Sequence, residues 1–139
     1  MAGLIGVFGG TFDPPHIGHL ILADEARVAF ELRTVLWVLT PVPPHKPSQP
    51  ISSIDDRRRM VESTIAGNPH FQLSGADIER PAPHFSIGTM KWLIERYPED
   101  RFAYLMGSDS LMDLPEWHQP NAFLDTIDMI GVMKREGEK

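Results

Sequence analysis

Short apolar runs and segments with helical signals alternate along the whole of this chain. The apolar runs, each of which predicts a strand, lie at 4–8, 34–39, 71–75, 101–107 and 126–133. The segments that predict helices lie at 17–30, 53–66, 85–97, 110–114 and 121–125. This alternation predicts an α/β domain with a parallel sheet whose strands are joined by right-handed crossovers. We therefore expect a Rossmann-like, doubly wound sheet of five parallel strands, with residues 1–139 forming a single domain.

Local sequence signals predict a helix face, a helix cap and several core positions. The apolar residues that give the first helix its period of about 3.6 residues are Ile17, Leu20, Ile21 and Val28. Ser53 stands where a helix N-cap is expected, with acidic residues in the first turn after it. The charged run at 55–59 predicts a solvated helix face. Trp37 and Trp92 fall in a strand and an amphipathic helix, and both are predicted to be core residues.

Charge and composition argue against several classes of protein. The formal net charge is −6, whereas a general nucleic-acid binder needs a basic face. The sequence contains no cysteine, which removes disulfides, thiolate nucleophiles and cysteine zinc sites, and suits a reducing cytoplasm. The sequence contains no run of about 18 apolar residues, so it predicts no membrane span. The first ten residues lack the basic leader and cleavage site of a signal peptide, so we expect a cytoplasmic protein.

Three unusual segments follow strands of the predicted sheet. The first motif, "GGTFDPPHIGH" (9–19), follows the first strand, and the proline loop (40–50) follows the second. The third segment is "GSDS" (107–110), after the fourth strand. In open α/β sheets, ligands bind outside the carboxyl ends of the strands, near the point where strand order reverses. The three segments therefore predict one ligand site at this edge.

The first motif has the composition of a phosphate cradle. Gly9 and Gly10 let the main chain approach a ligand closely, and Thr11 adds a hydroxyl and an amide. A helix N-terminus favours an anion, and His16 and His19 are three residues apart, so they share one face of its first turn. The residues alone leave three alternatives open: an ordinary glycine turn, surface histidines, or a histidine pair on a metal ion. No carboxylate stands nearby at metal-ligand spacing, so we expect no protein metal site.

Four segments carry a resemblance to a known family. The segment "GTFDPPHIGH" (10–19) resembles the signature of the nucleotidyltransferase superfamily. The segments "PVPPHK" (41–46), "ERPAPHFSIGTM" (79–90) and "LMGSDSLMDLPEWH" (105–118) resemble the nicotinate mononucleotide adenylyltransferases of NAD synthesis. The resemblance covers nearly the whole chain, in order.

The resemblance implies a function and a set of phosphate-binding residues. The phosphate of nicotinate mononucleotide would attack the α-phosphorus of ATP in line and expel pyrophosphate, with Mg²⁺ bridging the triphosphate mainly through phosphate and water oxygens. The residues implied at the phosphates are Gly9, Gly10, Thr11, His16, His19, His45 and Lys46. Among them, the implied catalytic residues are His16, His19, Thr11 and Lys46. The histidines would stabilise charge rather than transfer a proton, because the attacking phosphate is already ionised.

The resemblance also implies residues for the adenosine and the acceptor nucleotide. Gly107 and Asp109 would hold the adenosine ribose, and Phe12 is counted among the substrate-binding residues. Trp117 would stack on the pyridine ring, with a plain core position as its alternative. Ser86 would lie near the pyridine carboxylate, at the start of a helix.

Two departures from the family pattern keep alternative functions open. The family has Ser-Tyr-Thr where this chain has His84, Phe85 and Ser86, and its later Ser-Ser-Thr…Arg motif has no counterpart here. We therefore expect a domain without the usual C-terminal helical part, with apolar surface that could support a homo-oligomer. The alternatives are an adenylyltransferase for nicotinamide mononucleotide or phosphopantetheine, and a nucleotide-binding form with weak or no catalysis.

Overall fold

The computed structural model describes residues 3–41, 52–80 and 85–133. Its strands are β1 (Leu4–Gly10), β2 (Thr34–Leu39), β3 (Phe71–Ser74), β4 (Arg101–Gly107) and β5 (Met129–Met133). Its helices are α1 (Ile17–Ala29), α2 (Ile54–Ile65), α3 (Ser86–Arg96), α4 (Ser108–Asp113) and α5 (Pro120–Leu124), with a 3₁₀ turn at Leu114–Glu116. The predicted alternation of strands and helices is confirmed.

The strands form one parallel sheet in the order β3-β2-β1-β4-β5. The chain moves outward from β1 to β3, then crosses to the other side of β1 for β4 and β5. Strand order therefore reverses between β1 and β4, which are neighbours with Phe8 opposite Leu105. This is the doubly wound arrangement that the sequence predicts, and the reversal lies directly beneath the first motif.

Apolar side chains on the two faces of the sheet build two core clusters. On one face, residues of α1 and α2 pack against Phe8, Trp37 and Leu105. On the other face, residues of α3 pack against Ile5, Val7 and their neighbours. All six residues of β2 are buried, as expected for a strand covered on both faces. Trp37 is fully buried, which confirms its predicted core position.

The capping signal before α2 is also confirmed. Ser53 is the N-cap, and its Oγ accepts the backbone N–H of Asp56 at 3.1 Å. Asp55 and Asp56 lie in the first turn, where carboxylates favour the positive end of the helix dipole. The helix therefore begins at the residue that its sequence predicts.

Several elements differ from their predicted bounds. Strand β1 continues to Gly10, two residues beyond the prediction, so Gly9 and Gly10 of the first motif belong to the strand rather than to the turn after it. Two further differences have local reasons. Strand β5 begins at Met129 rather than at Thr126, because the Thr126 hydroxyl donates to the Phe123 carbonyl at 2.6 Å and extends the turn after α5. Helix α4 begins at Ser108, directly after its N-cap Gly107, two residues earlier than predicted. The fourth strand thus passes into a helix with no intervening loop.

The outward face of α1 departs from what its apolar period suggests. Ile17, Ile21 and Val28 are 72%, 50% and 60% exposed. The residues of α1 that are buried against the sheet are Ala23 and Ala26, whose small side chains let the helix approach closely. The larger apolar residues therefore lie on the side that the sheet does not cover.

The prediction of a solvated face for 55–59 is wrong at one position. Asp55, Asp56, Arg58 and Arg59 are exposed, but Arg57 is 1% exposed. Its buried position follows from the helical period, since Arg57, Val61 and Ile65 are the buried residues of α2.

Trp92 is only partly buried, with the Arg96 guanidinium 3.4 Å from its ring centroid. Among the described residues, no helix has the length and apolar character needed to cross a membrane.

Candidate active site

The turn after β1 is shaped by an aromatic ring that folds beneath it. Phe12 has φ of 48°, a left-handed conformation that side-chain-bearing residues seldom adopt. Its ring is 3% exposed and packs edge-on against Phe8 at 5.4 Å between centroids. A Cβ on Gly10 would lie 3.1 Å from this ring, so a glycine leaves room for it. The side chain of Phe12 therefore belongs to the core, and its main chain is the part that lies at the turn.

His16 and His19 form a reciprocal cap at the start of α1. Nδ1 of His16 accepts the N–H of Gly18 at 3.1 Å, and Nδ1 of His19 accepts the N–H of His16 at 3.0 Å. The two rings stack with centroids 3.9 Å apart and planes 29° apart. Because both Nδ1 atoms are acceptors, we assign the proton of each neutral ring to Nε2. The cap thus fixes two imidazoles side by side, each with an Nε2–H donor.

Two neighbours hold this pair in place. The His19 ring packs edge-on against the Phe12 ring, with centroids 5.1 Å apart. A Cβ on Gly18 would lie 2.8 Å from Cε1 of His16, so any side chain there would displace the His16 ring. The glycine between the histidines is therefore required by the stacked geometry.

Asp13 ties the first motif to the segment before α2. Its Oδ2 accepts the N–H of Ser52 at 2.8 Å. Hydrogen bonds from the backbone and side chain of Ser52, together with the charge of Arg57, hold the pKa of Asp13 below its usual value. Asp13 is thus held as a carboxylate that accepts from this segment.

Gly107 and Asp109 lie at the same edge of the sheet as the first motif. Phe8 of β1 pairs with Leu105 of β4, so Gly10 and Gly107 both stand two residues farther along their strands. Gly107 is the N-cap of α4, and Asp109 is exposed in the first turn of that helix. The structure therefore brings these predicted ribose residues beside the β1 turn.

Ser86 and Trp117 both lie beside Tyr104. The Ser86 and Tyr104 hydroxyl oxygens are 3.0 Å apart, and the Trp117 ring is 6.1 Å from the Tyr104 ring. Tyr104 Oη also lies 4.0 Å from where a Cβ on Gly9 would be. Burial is the main cause that raises the pKa of Tyr104, so it is a neutral hydroxyl. Trp117 is half-buried, with its ring 5.2 Å from Phe123.

Sequence reasoning missed Tyr104 and Arg57. Tyr104 lies in an apolar run of β4, on the same sheet face as Phe102. Its hydroxyl, the polar group of that run, was the feature of the sequence that could have marked it as a site residue. Arg57 was concealed by its charged neighbours. The predicted phosphate residues His45 and Lys46, together with His84, lie outside the described residues.

A polar network joins the segment after β3 to the first turns of α3. The Thr89 hydroxyl donates to Oδ1 of Asp77 at 2.6 Å, and Nη2 of Arg80 contacts the same oxygen at 2.7 Å. Arg80 also donates from Nε to the Ala76 carbonyl at 2.8 Å.

Across residues 3–41, 52–80 and 85–133, no group of three or more His, Asp or Glu side chains could hold a metal ion.

Comparison with known families agrees with this geometry. Residues 7–136 match the family model described as Cytidylyltransferase-like. The chain belongs to the cytidylyltransferase-like family. This match covers the first motif and the segment at 107–110, which the structure brings together at the reversal of strand order.

Curated relatives narrow the resemblance. A protein of Geobacillus thermodenitrificans named "Probable nicotinate-nucleotide adenylyltransferase" is 38% identical over 135 residues, which are 97% of this chain and 62% of the relative. Proteins of the same name from Thermomicrobium roseum and Bacillus pumilus are 41% and 42% identical and are covered over 62% and 70% of their lengths. The resemblance inferred from the motifs is confirmed. The chain spans about 62% of the length of the first of these relatives.

Solved structures share the fold. A structure from Vibrio parahaemolyticus superposes with a TM-score of 0.76 at 19% identity, over 98% of this chain and 76% of that one. The nicotinic acid mononucleotide adenylyltransferase of Plasmodium falciparum, complexed with APC, gives a TM-score of 0.73 at 15% identity, over 99% of this chain and 77% of that one. At these identities the likeness concerns the fold, and it confirms the predicted nucleotidyltransferase-type sheet.

Proposed function

We propose that this chain carries the site at which the adenylyl group of ATP is transferred to nicotinate mononucleotide, giving deamido-NAD and pyrophosphate. The observation that carries the proposal is the stacked His16–His19 pair, fixed by its reciprocal cap at the reversal of strand order. Relatives that are 38% to 42% identical and named as nicotinate-nucleotide adenylyltransferases support the same reaction.

The phosphates of ATP would bind over the turn after β1. Gly9 and Gly10 supply main chain at the end of β1, Thr11 and Phe12 supply it in the turn, and the Phe12 ring stays in the core. The Nε2–H groups of His16 and His19 would donate to the bridging and leaving oxygens, where negative charge grows in the transition state. Because the acceptor phosphate is already ionised, catalysis then consists of positioning and charge stabilisation.

Two residues outside the described part of the chain complete the phosphate site in this proposal. His45 and Lys46 follow β2 along the proline loop, and Lys46 is a flexible point charge suited to phosphate. Thr11 and Lys46 join the histidines as the catalytic set. Mg²⁺ would be held mainly by phosphate and water oxygens, as this ion prefers, and would screen the charge of the triphosphate.

The acceptor nucleotide would bind on the other side of β1. Trp117 offers an aromatic face beside Tyr104, and Ser86 lies in the first turn of α3, where backbone N–H groups favour a carboxylate. Gly107 and Asp109 would hold the adenosine ribose, with the carboxylate accepting from its hydroxyls. We further propose that residues 1–139 form one domain, that the protein acts in the cytoplasm, and that exposed apolar residues of α1 support a homo-oligomer.

Pyrophosphate release tests the proposal directly. Purified protein is supplied with ATP, Mg²⁺ and one of three acceptors: nicotinate mononucleotide, nicotinamide mononucleotide or phosphopantetheine. We expect release with the first acceptor to exceed release with either of the others. Faster release with another acceptor would reassign the substrate, and ATP binding without release from any acceptor would indicate a nucleotide-binding form.

A further inference from the structure

Arg57 is a buried cation that collects main-chain carbonyl groups. Its side chain donates to four carbonyl oxygens: Ser52 (2.9 Å), Thr11 (3.2 Å), Thr40 (2.6 Å) and Pro41 (2.8 Å). These carbonyls belong to the turn after β1, the start of the proline loop and the segment before α2. A planar guanidinium with five N–H donors can satisfy such a set, whereas no other side chain can. One residue of α2 therefore joins three segments at the carboxyl edge of the sheet.

The charge of Arg57 is compensated mainly by dipoles. The ion pairs found among the described residues do not include Arg57, and Asp13 is the carboxylate whose charge acts on it. Burial lowers the pKa of Arg57. An arginine nevertheless keeps its proton in a protein, so the site retains a positive charge beneath the first motif. A buried charge is stable only when hydrogen bonds compensate it, which the four carbonyls do.

The Thr11 contact also sets the direction of a peptide group. The Thr11–Phe12 peptide is trans, so its C=O and N–H point in opposite directions. Because the Thr11 carbonyl is directed at Arg57, the Phe12 N–H is directed away from Arg57. The Thr40 carbonyl is held in the same way, while the Thr40 N–H donates to the Gly10 carbonyl at 2.9 Å. Carbonyl oxygens repel phosphate. Here the carbonyl groups of three segments point toward the guanidinium of Arg57.

We propose that Arg57 is a positioning residue for anion binding: it withdraws carbonyl oxygens of the first motif and the proline loop from the phosphate site and places a positive charge behind that site. The inference rests on the proposed function, since it takes the anion to be the triphosphate of ATP. Arg57 acts through the main chain and through its field, without touching the ligand.

The test compares anion affinity with nucleoside affinity in three variants. Arg57→Met removes the charge and the donors, and Arg57→Lys keeps the charge but cannot reach all four carbonyls. Arg58→Met is the matched control, because Arg58 is the next residue of the same helix, is exposed, and pairs only at the surface with Glu62 at 3.6 Å. Calorimetric titration measures binding of inorganic tripolyphosphate, ATP and adenosine, and thermal unfolding shows that each variant is folded.

We expect Arg57→Met to weaken tripolyphosphate and ATP binding about tenfold or more while adenosine affinity stays within about twofold, because only the anions lose the attraction of a nearby positive charge. Arg57→Lys should fall between Arg57→Met and wild type, and it decides the matter if Arg57→Met does not fold. Arg58→Met should bind all three ligands as wild type does.

Two results would overturn the inference. One is a folded Arg57→Lys or Arg57→Met protein with wild-type tripolyphosphate affinity, or with equal losses for tripolyphosphate and adenosine. The other is a wild-type protein that does not bind tripolyphosphate. Failure of the proposed function looks different: wild type would bind tripolyphosphate and ATP, the Arg57 variants would bind them less, and no acceptor would release pyrophosphate.

Discussion

The hydroxyl oxygens of Ser86 and Tyr104 lie 3.0 Å apart, and this contact joins the first turn of α3 to the middle of β4. Ser86 stands at the helix end where the pyridine carboxylate is proposed to bind, and Tyr104 lies between that end and Gly9. The pair therefore connects the proposed acceptor side of the site to the end of β1.

Removing the Tyr104 hydroxyl is expected to affect the acceptor more than ATP. Tyr104→Phe leaves the Ser86 hydroxyl without this partner, and a lost hydrogen bond of this kind costs about 1 kcal/mol. We expect a KM for nicotinate mononucleotide that rises about fivefold, in line with that energy, with little change in the KM for ATP. Steady-state kinetics with each substrate varied checks this. Ser86→Ala serves as the matched variant and should give the same pattern.

Tyr104 also predicts loss of stability in alkali. Burial raises its pKa above the ordinary value of 10.0, so the folded state keeps a proton that the unfolded state releases. Its contribution to stability is complete below about pH 10 and declines as the pH rises further. Urea unfolding at a series of pH values above 9 should show a steeper decline for wild type than for Tyr104→Phe. Parallel curves for the two proteins would count against this.

His16 has two separable roles, as a helix cap and as a proposed phosphate donor. His16→Asn keeps an oxygen that can accept the Gly18 N–H, whereas His16→Ala loses the cap and about 1 kcal/mol of stability. Both variants lose the Nε2–H donor. We expect kcat to fall because the transition state loses about 3 kcal/mol of stabilisation. Thermal unfolding and pyrophosphate release measured together separate the roles. An active His16→Asn protein would show that the ring is needed only as a cap.

Gly18→Ala should be damaging even though alanine is the better helix former. In an exposed helix this change stabilises by roughly 1 kcal/mol. Here the new Cβ would lie 2.8 Å from the His16 ring, so the stacked pair must separate. We expect turnover to fall at least tenfold while the melting temperature changes little. Wild-type turnover in a more stable Gly18→Ala protein would contradict the proposed role of the stacked pair.

Asp13 predicts a stability change in acid. Its pKa lies below the ordinary value of 3.8 in the folded protein, mainly because the Ser52 N–H donates to the carboxylate. The contribution of a lowered carboxyl pKa is present above the unfolded pKa and is lost as pH falls through the folded pKa. The melting temperature of wild type should therefore decline more steeply below about pH 4 than that of Asp13→Asn. Identical slopes would show that the Ser52 contact adds no pH dependence.

Local signals in the sequence determined the strands and most helix bounds. The buried β2, the Ser53 cap and the glycines and histidines of the first motif act over a few residues, so their spacing alone carries the information. The residues of the site were implied by the resemblance of four segments to a known family, and their roles stay predictions.

Only the tertiary structure decided which face of a helix is covered and which polar groups meet. Ile17 and Ile21 fit the apolar period of α1, yet the sheet packs against Ala23 and Ala26. Ser86 meets Tyr104, 18 residues away, because the crossover through α3 ends in a strand beside β1. The helical period places Arg57 on the buried side of α2, but the acceptors that compensate its charge come from Thr11 and Thr40, which are 46 and 17 residues distant. No pattern within one helix encodes such partners, since they exist only after the strands have paired.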